Sequence, residues 1–162
     1  MKKIIAVSGT PGTGKTRISK LIANRLSFKY IGVNRLIREN KIAENYDRKR
    51  KTYVVDVKKL NKFLINLIKK SKVNLILDSH LSHYLPKKYV TLCIIAKCSL
   101  KILKKRLIKR GYNELKINDN MDSEIFNICL NEAVESGHNV LAMDTTHGVS
   151  NLNIKLISKL VR

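Results

Sequence analysis

The sequence predicts an α/β fold in which a five-stranded parallel sheet is covered by helices on both faces. Five short apolar runs of strand length alternate with segments whose apolar residues recur at helical spacing. The apolar runs are nearly continuous, which is typical of parallel strands that are buried on both faces. The length of 162 residues suits one domain, so we expect a single domain over residues 1–162.

The predicted strands are apolar runs bounded by turn-forming or polar residues. They cover residues 3–8, 29–33, 73–77, 89–96 and 139–143. The first run ends before Gly9 and the third before Asp78. Ligands of open parallel sheets bind outside the carboxyl ends of the strands, so these two positions predict where a site lies.

The predicted helices each carry an apolar stripe at a spacing of three to four residues. They cover residues 15–26, 36–43, 57–70, 100–109, 121–135 and 151–161. Ser99 is suited to begin the fourth helix and Gly111 to end it. Residues 44–53 and 112–119 are polar and show no clear period, so we expect exposed connections there.

The chain is strongly basic, with 33 Lys and Arg against 12 Asp and Glu and a net charge of +21. One interpretation is a contact with RNA phosphates. The alternative is a compositional bias whose lysines are simply solvated, and charge alone does not separate the two. No apolar run approaches the roughly 18 residues of a membrane span, and no signal-peptide core follows Met1, so we expect a cytoplasmic protein without a membrane contact.

Three cysteines, Cys93, Cys98 and Cys129, are expected to be reduced and buried as small apolar residues. They lack the further His or Cys ligands at a zinc-binding spacing that a structural zinc site requires.

Residues 9–16, GTPGTGKT, match the phosphate-binding pattern G-x-x-x-x-G-K-[ST] between a predicted strand and an amphipathic helix. Gly12 and Gly14 let the backbone amides surround a phosphate, and the start of the helix adds partial positive charge. Lys15 can reach the β- and γ-phosphates, and the Thr16 hydroxyl can ligate Mg²⁺. The motif therefore predicts a bound ATP with Mg²⁺, rather than an empty glycine-rich turn.

Asp78 stands where a second Mg²⁺-organising carboxylate belongs, although a residue there can also simply cap the strand. His80 could position a water or a transferred group, and His83 follows near the same site without a defined role. Arg106 and Arg110 share one helical face. They could supply the cations that phosphoryl transfer needs, or belong to a solvated basic helix.

Several segments in order resemble the adenylate kinase isoenzyme 6 family of archaea and eukaryotes, which is also described as a family of small-subunit ribosome biogenesis ATPases. They are GTPGTGKT at 9–16, the YI-V--L-RE pattern at 30–39, D-x-H at 78–80, RLIKRGYNELKINDN at 106–120, and EIF at 124–126 with EA at 132–133. Many families share the first motif alone, whereas the ordered set is much more specific.

The resemblance implies a P-loop NTPase fold of the nucleoside monophosphate kinase type. It implies a mobile monophosphate-binding segment at about residues 32–55 and a short lid at about residues 109–119. By position in the family motifs, the residues that bind the triphosphate are Gly12, Gly14, Lys15, Thr16 and Arg17.

The remaining matched positions have separate implied roles. Arg38 matches the arginine that meets the phosphate of the monophosphate, and Asp78 with His80 matches the Mg²⁺ and ATPase motif. Arg110 matches the lid arginine that touches ATP, and Arg106 lies one turn before it.

The implied activity is reversible transfer of the terminal phosphate of ATP to AMP or another nucleoside monophosphate, with accompanying ATPase activity. The family further implies a role in late maturation of the small ribosomal subunit and its rRNA, with ribosomal protein uS11 as a transient partner. One alternative is a partner-dependent assembly ATPase with little free kinase activity. Another is a nucleic-acid-binding module with a vestigial phosphate loop.

The sequence departs from the family pattern at three places. Asn34 and Arg35 replace the usual Gly-Asp, the basic run 48–51 replaces an acidic connection, and His83 replaces a commonly acidic residue. These three departures concern which nucleoside monophosphate the protein prefers as a substrate.

Overall fold

The computed structural model describes residues 2–161 and contains one five-stranded sheet and one separate two-stranded hairpin. All pairings in the larger sheet are parallel, in the order β2-β5-β1-β6-β7. The prediction of a five-stranded parallel sheet is confirmed. The strands are β1 Ile4–Ser8, β2 Lys29–Gly32, β3 Ala43–Asp47, β4 Thr52–Val55, β5 Leu75–Asp78, β6 Leu92–Lys97 and β7 Val140–Asp144.

Helices cover both faces of this sheet, as the sequence predicts. They are α1 Lys15–Leu26, α2 Val33–Glu39, α3 Val57–Lys70, α4 Leu100–Lys109, α5 Glu114–Ile125, α6 Ile128–Glu135 and α7 Asn151–Leu160. Alternate residues of the central strand β1 point to opposite faces. Ile5 and Val7 pack with α1 and α7, while Ile4 packs with α2 and α3. Ala6 packs against Ala133 of α6.

The register of the sheet brings the ends of β1, β2 and β5 to one edge. Val7 and Gly32 are both paired with Asp78, and Ser8 is paired with Ile95. Parallel strands that end together expose one common crevice. The residues that follow β1 and β5 therefore meet there, although about 70 residues separate them along the chain.

The expectation of an irregular connection over residues 44–53 is wrong, because β3 and β4 form an antiparallel hairpin there. Tyr46 pairs with Tyr53 and Asp47 with Thr52. Most of the hairpin's side chains are exposed or half-buried, so neither face gives the apolar alternation by which strands are recognised. The predicted exposure of this segment is confirmed.

Three further segments differ from the predictions. Residues 112–119 are not a connection, because Asn113 accepts a hydrogen bond from the Lys116 amide and caps a helix that begins at Glu114. The single helix predicted over 121–135 is two helices, because Asn127 adopts a left-handed conformation with φ of 53°. The helix predicted over 36–43 spans 33–39 instead and is followed by a turn with Lys41 at φ of 51°.

The cysteines are free, as predicted; Cys93 and Cys98 are buried and Cys129 is partly buried. None of the helices within residues 2–161 is long and apolar enough to cross a membrane.

Candidate active site

The phosphate loop joins β1 to α1 and is held close to β6. Gly9 has φ of +131°, and a Cβ atom at this position would lie 2.4 Å from the Ala96 carbonyl oxygen. Only glycine fits this close approach between two backbones. Gly14, with φ of 90°, precedes the first turn of α1 and turns the chain so that the helix N-terminus faces the loop.

Lys15 lies folded across the phosphate loop. Its Nζ atom donates to the Gly9 and Thr10 carbonyl oxygens, at 2.9 Å in each case. Burial lowers the pKa of Lys15 to about 8, against the opposing attraction of Asp78. A polyphosphate placed beside this ammonium group would restore its preference for the charged form.

Asp78 gathers two hydroxyl groups at the end of β5. Thr16 Oγ1 donates to Asp78 Oδ2 at 2.7 Å, and the Tyr30 hydroxyl donates to the same oxygen at 2.8 Å. Burial, with the bond to Asp78, raises the pKa of Tyr30 to about 12, so this phenol remains a donor at neutral pH. Thr16 and Asp78 are therefore adjacent, as the sequence predicts.

This pair of oxygens fits a magnesium ion. Mg²⁺ prefers hard oxygen ligands and is usually held by one or two carboxylates together with substrate phosphates and water. Thr16 offers a hydroxyl and Asp78 a carboxylate with their oxygens 2.7 Å apart. Within residues 2–161, no group of three or more His, Cys, Asp or Glu side chains could hold a metal ion without a substrate.

A buried carboxylate fastens the phosphate loop to α5. Thr10 Oγ1 donates to Glu124 Oε2 at 2.7 Å, and the Cys98 amide donates to Glu124 Oε1 at 3.3 Å. Lys97 Nζ lies 3.5 Å from the same carboxylate and balances its charge. Glu124 is 6% exposed, so these partners replace water for a charge that burial would otherwise disfavour.

A second set of polar contacts fixes the segment that follows Asp78. The buried His83 imidazole lies with Nδ1 2.6 Å from Ser8 Oγ and Nε2 2.9 Å from Glu132 Oε2. The Tyr84 hydroxyl also donates to Glu132 Oε2, at 2.9 Å. His83 thus connects the end of β1 to α6, which gives this residue the structural role that its sequence context leaves undefined.

His80 follows Asp78 by two residues and lies close enough to Lys15 for that charge to affect it. Burial is the main cause that lowers its pKa to about 4, with a further contribution from the charge of Lys15. The imidazole is therefore neutral at pH 7 and retains one ring nitrogen that can accept a hydrogen bond.

Two clefts open beside the phosphate loop. The larger has a volume of about 800 Å³ and the smaller about 500 Å³. The smaller lies between α4 and the turn after β7 and is lined by Arg106, Thr145 and Val149, among others. Arg106 Nη1 donates to the Gly12 carbonyl at 3.2 Å, so this arginine is fixed against the loop.

The structure brings together nearly all of the predicted site residues. Lys15, Thr16, Asp78 and His80 line the larger cleft, Arg106 lines the smaller, and four residues line both, namely Gly12, Gly14, Arg17 and Arg110. Arg38 is the exception, since it is exposed on α2 and lines neither of these clefts. Arg50 of the hairpin and Lys116 of α5 line the larger cleft instead.

Several residues that build this site are not among those predicted from the sequence, above all Thr10, Glu124 and Glu132. Thr10 and its partner Glu124 are 114 residues apart in the chain, and Glu132 is 49 residues from its partner His83. No local spacing encodes such a contact. The one sequence signal is the pair of segments EIF and EA, which contain the two glutamates but do not indicate what they touch.

Comparison with known proteins agrees with this geometry. A family model described as an AAA domain matches residues 5–127. A shikimate kinase from Acinetobacter baumannii superposes with a TM-score of 0.68 at 13% identity, covering 99% of this chain and 93% of that one. The YorR protein of Bacillus subtilis superposes with a TM-score of 0.62 at 16% identity, covering 98% and 95%. The chain therefore has the fold of P-loop kinases, as the sheet, the phosphate loop and these neighbours show.

Relatives that are similar in sequence identify the family more specifically than the structural neighbours do. A protein named putative adenylate kinase from Methanocaldococcus jannaschii is 40% identical over 143 residues, which are 88% of this chain and 77% of the relative. The adenylate kinase isoenzyme 6 homolog FAP7 of Saccharomyces cerevisiae is 35% identical over 133 residues, 82% of this chain and 66% of the relative. The chain belongs to the adenylate kinase isoenzyme 6 family, and it is a nucleotide kinase, a phosphotransferase.

Proposed function

We propose that the protein reversibly transfers the terminal phosphate of ATP to AMP or another nucleoside monophosphate. One observation carries the proposal: two clefts meet at the phosphate loop, and Gly12, Gly14, Arg17 and Arg110 line both. A triphosphate held by the loop would point its base into the smaller cleft and its terminal phosphate into the larger. The larger cleft is then the place for the acceptor.

The donor side uses residues that the loop already positions. Lys15 would leave its carbonyl partners for the β- and γ-phosphate oxygens, and Arg106 and Arg110 would contact the donor's phosphates from α4. Thr16 and Asp78 would hold Mg²⁺, which when bound supplies charge that offsets the phosphate oxygens. Most of the catalysis is then alignment and electrostatic stabilisation.

The acceptor side lies between the hairpin and α5. We propose Arg38 as a ligand of the acceptor phosphate, as the family motif implies, which requires α2 to move toward the larger cleft. Arg50 and Lys116 line that cleft and add positive charge near the same place. We further propose that residues 32–55 and 109–119 close on substrate and exclude water, so that the phosphate passes to the nucleotide.

His80 supports an accompanying ATPase activity. Its neutral imidazole, beside Lys15, could accept a proton or a hydrogen bond from an attacking water when no acceptor is bound. We propose that this hydrolysis acts in late maturation of the small ribosomal subunit in the cytoplasm, with uS11 as a transient partner and with a contact to rRNA through the basic surface. A partner-dependent ATPase with little free kinase activity is the second candidate.

The test measures ADP formed from ATP with each of AMP, GMP, CMP and UMP, and phosphate released from ATP alone. Both assays are run with and without the ribosomal protein, and Lys15→Ala serves as the inactive control. The expected result, with a monophosphate and no partner, is ADP formation in excess of the phosphate released. Phosphate release only in the presence of the partner, without transfer to any monophosphate, would replace the kinase by the assembly ATPase.

A further inference from the structure

We propose that the outer face of the β3–β4 hairpin binds single-stranded RNA, with bases stacked on Tyr46 and Tyr53. This inference makes the rRNA contact proposed above more specific. It rests on the proposed function only for the kind of partner, which is RNA. It assigns that contact to one surface and one form of RNA. Phosphoryl transfer does not depend on it.

The two tyrosines are unusual in this chain. Tyr46 is 50% and Tyr53 59% exposed, whereas the other four tyrosines are all less exposed. The rings face each other across the hairpin, with centroids 5.0 Å apart and an angle of 63° between their planes. This edge-on contact steadies the pair while leaving aromatic surface open to solvent. A nucleic-acid base has a flat face that stacks on such surface.

The tyrosines lie on the side of the hairpin that faces away from the larger cleft. Successive side chains of a strand point to opposite faces. Thr52 lines the larger cleft, so its neighbour Tyr53, with its partner Tyr46, lies on the opposite face. RNA on this face and a nucleotide in the cleft can therefore be bound at the same time.

The turn of the hairpin supplies the charge for a polyanion. Arg48, Lys49 and Lys51 are exposed, and their side chains form no ion pair with any of residues 2–161. The nearby acids are already paired: Arg50 contacts Asp47 and Asp119, and Lys59 contacts Glu44. Three unpaired cations beside two exposed aromatic rings are the combination that single strands require.

This surface is held in place before any ligand arrives. Arg50 Nε lies 2.7 Å from Asp119 Oδ2, and Asn113 Nδ2 donates to the Lys49 carbonyl at 2.7 Å. Lys116 Nζ donates to the Lys51 carbonyl at 3.3 Å. These three contacts tie the turn to α5 and its cap, so less conformational entropy is lost on binding.

A single strand fits better than a duplex or a protein. The bases of a duplex are stacked on one another, so a duplex offers its phosphates to the turn but no free face to the rings. A protein partner would have to be acidic to match the three cations. Binding that requires both the rings and the cations distinguishes single-stranded RNA from these two.

The experiment measures binding of a fluorescein-labelled 12-nucleotide single-stranded RNA of mixed sequence to the full chain by anisotropy, at several salt concentrations. In Tyr46→Val/Tyr53→Val the strand propensity is kept and the rings are lost, so affinity should fall by about tenfold or more. Tyr46→Phe/Tyr53→Phe should bind within about twofold of wild type, because the stacking faces remain. Circular dichroism and thermal unfolding of the same preparations verify folding.

A second pair of variants tests the charge. Arg48→Ala/Lys49→Ala/Lys51→Ala should weaken binding and reduce the dependence of affinity on salt by a slope of about 2. Lys101→Ala/Lys104→Ala/Lys105→Ala removes three exposed charges from α4 and should have a much smaller effect. Unchanged affinity of the valine variant, or equal competition by a duplex of the same sequence, would overturn the proposal. Absent kinase activity with intact binding would count against the proposed function alone.

Discussion

The Nδ1 atom of His83 lies 2.6 Å from the hydroxyl oxygen of Ser8, and both side chains are buried. Ser8 is the last residue of β1 and stands directly before the phosphate loop. His83 lies in the segment that follows β5, after Asp78 and His80. The contact extends through His83 Nε2 to Glu132 of α6. One imidazole therefore fixes the two loops of the active site relative to each other.

Replacing His83 by alanine should lower the free energy of unfolding by about 2–4 kcal/mol, because the buried Ser8 and the half-buried Glu132 lose their common hydrogen-bond partner. Urea denaturation measures the change. His147→Ala, at an exposed histidine, is the matched control and should stay within about 0.5 kcal/mol of wild type. Equal losses in the two variants would show that the buried chain of contacts contributes no stability.

Glu124 is expected to act on nucleotide binding through Thr10. In Glu124→Ala the loop loses the acceptor of the Thr10 hydroxyl, and Lys97 loses its counter-charge. We expect affinity for ATP to fall by about tenfold, which corresponds to about 1.4 kcal/mol, a typical value for a hydrogen bond to a charged group. Calorimetric titration well below the melting temperature measures it. Glu135→Ala, at an exposed acid of α6, should bind ATP normally.

The lowered pKa of Lys15 predicts proton uptake when a triphosphate binds. Free Lys15, with a pKa of about 8, is half neutral at pH 8, and the phosphates favour its charged form. Binding at pH 8 should therefore take up about half a proton, and affinity should fall as the pH rises above 8. Calorimetry in buffers of different ionisation enthalpy measures this uptake. A binding enthalpy independent of the buffer would contradict the prediction, and Lys15→Ala should show that independence.

His80 predicts how stability depends on acid. Its pKa is about 4 in the folded chain against 6.5 in the unfolded one, so between these values the unfolded chain binds more protons. Stability should therefore fall as the pH drops from 6.5 toward 4, and His80 contributes about 2 kcal/mol of the loss at pH 5. Urea unfolding at pH 7 and pH 5 tests this. His80→Asn should lose correspondingly less stability over the same interval.

Two glycines with positive φ should respond differently to alanine. At Gly9 a Cβ atom would meet the Ala96 carbonyl, while at Gly111, with φ of +71°, it would meet nothing within 4 Å. Gly111→Ala should cost about 1 kcal/mol of backbone strain. Gly9→Ala should cost more than about 3 kcal/mol and abolish ATP binding, because the loop and β6 must separate. Thermal unfolding and ATP titration compare the two. Similar melting temperatures would refute the close approach.

The core of the fold could be predicted because each buried strand and helix has a recognisable pattern in consecutive residues of the sequence. The apolar runs around Ile5, Ile76 and Ile94 have the length of strands, and GTPGTGKT identifies a phosphate loop from consecutive residues. The hairpin has no such pattern, since it buries little apolar surface and its tyrosines are exposed. The start of α5 is also hidden, because a polar helix on the surface has a weak apolar stripe.

The contents of the site could be predicted only in part, for a different reason. Lys15, Thr16 and Asp78 are recognised by type and position, and the structure places them together. Glu124, which holds the phosphate loop, and Glu132, which holds His83, are far along the chain from these partners and are not predicted. The break at Asn127 separates α5, whose Glu124 contacts Thr10 of the phosphate loop, from α6, whose Glu132 contacts His83.

The order of strands has a consequence for how the chain acquires its activity during synthesis. The central strand β1 emerges first from the ribosome but pairs with β5 and β6, which emerge some 70 to 90 residues later. The Thr145 hydroxyl, which donates to the Thr13 carbonyl, comes later still. Native contacts of such long range form slowly. A nascent chain should therefore be unable to bind ATP until translation has passed β7, which makes nucleotide capture a late checkpoint of folding.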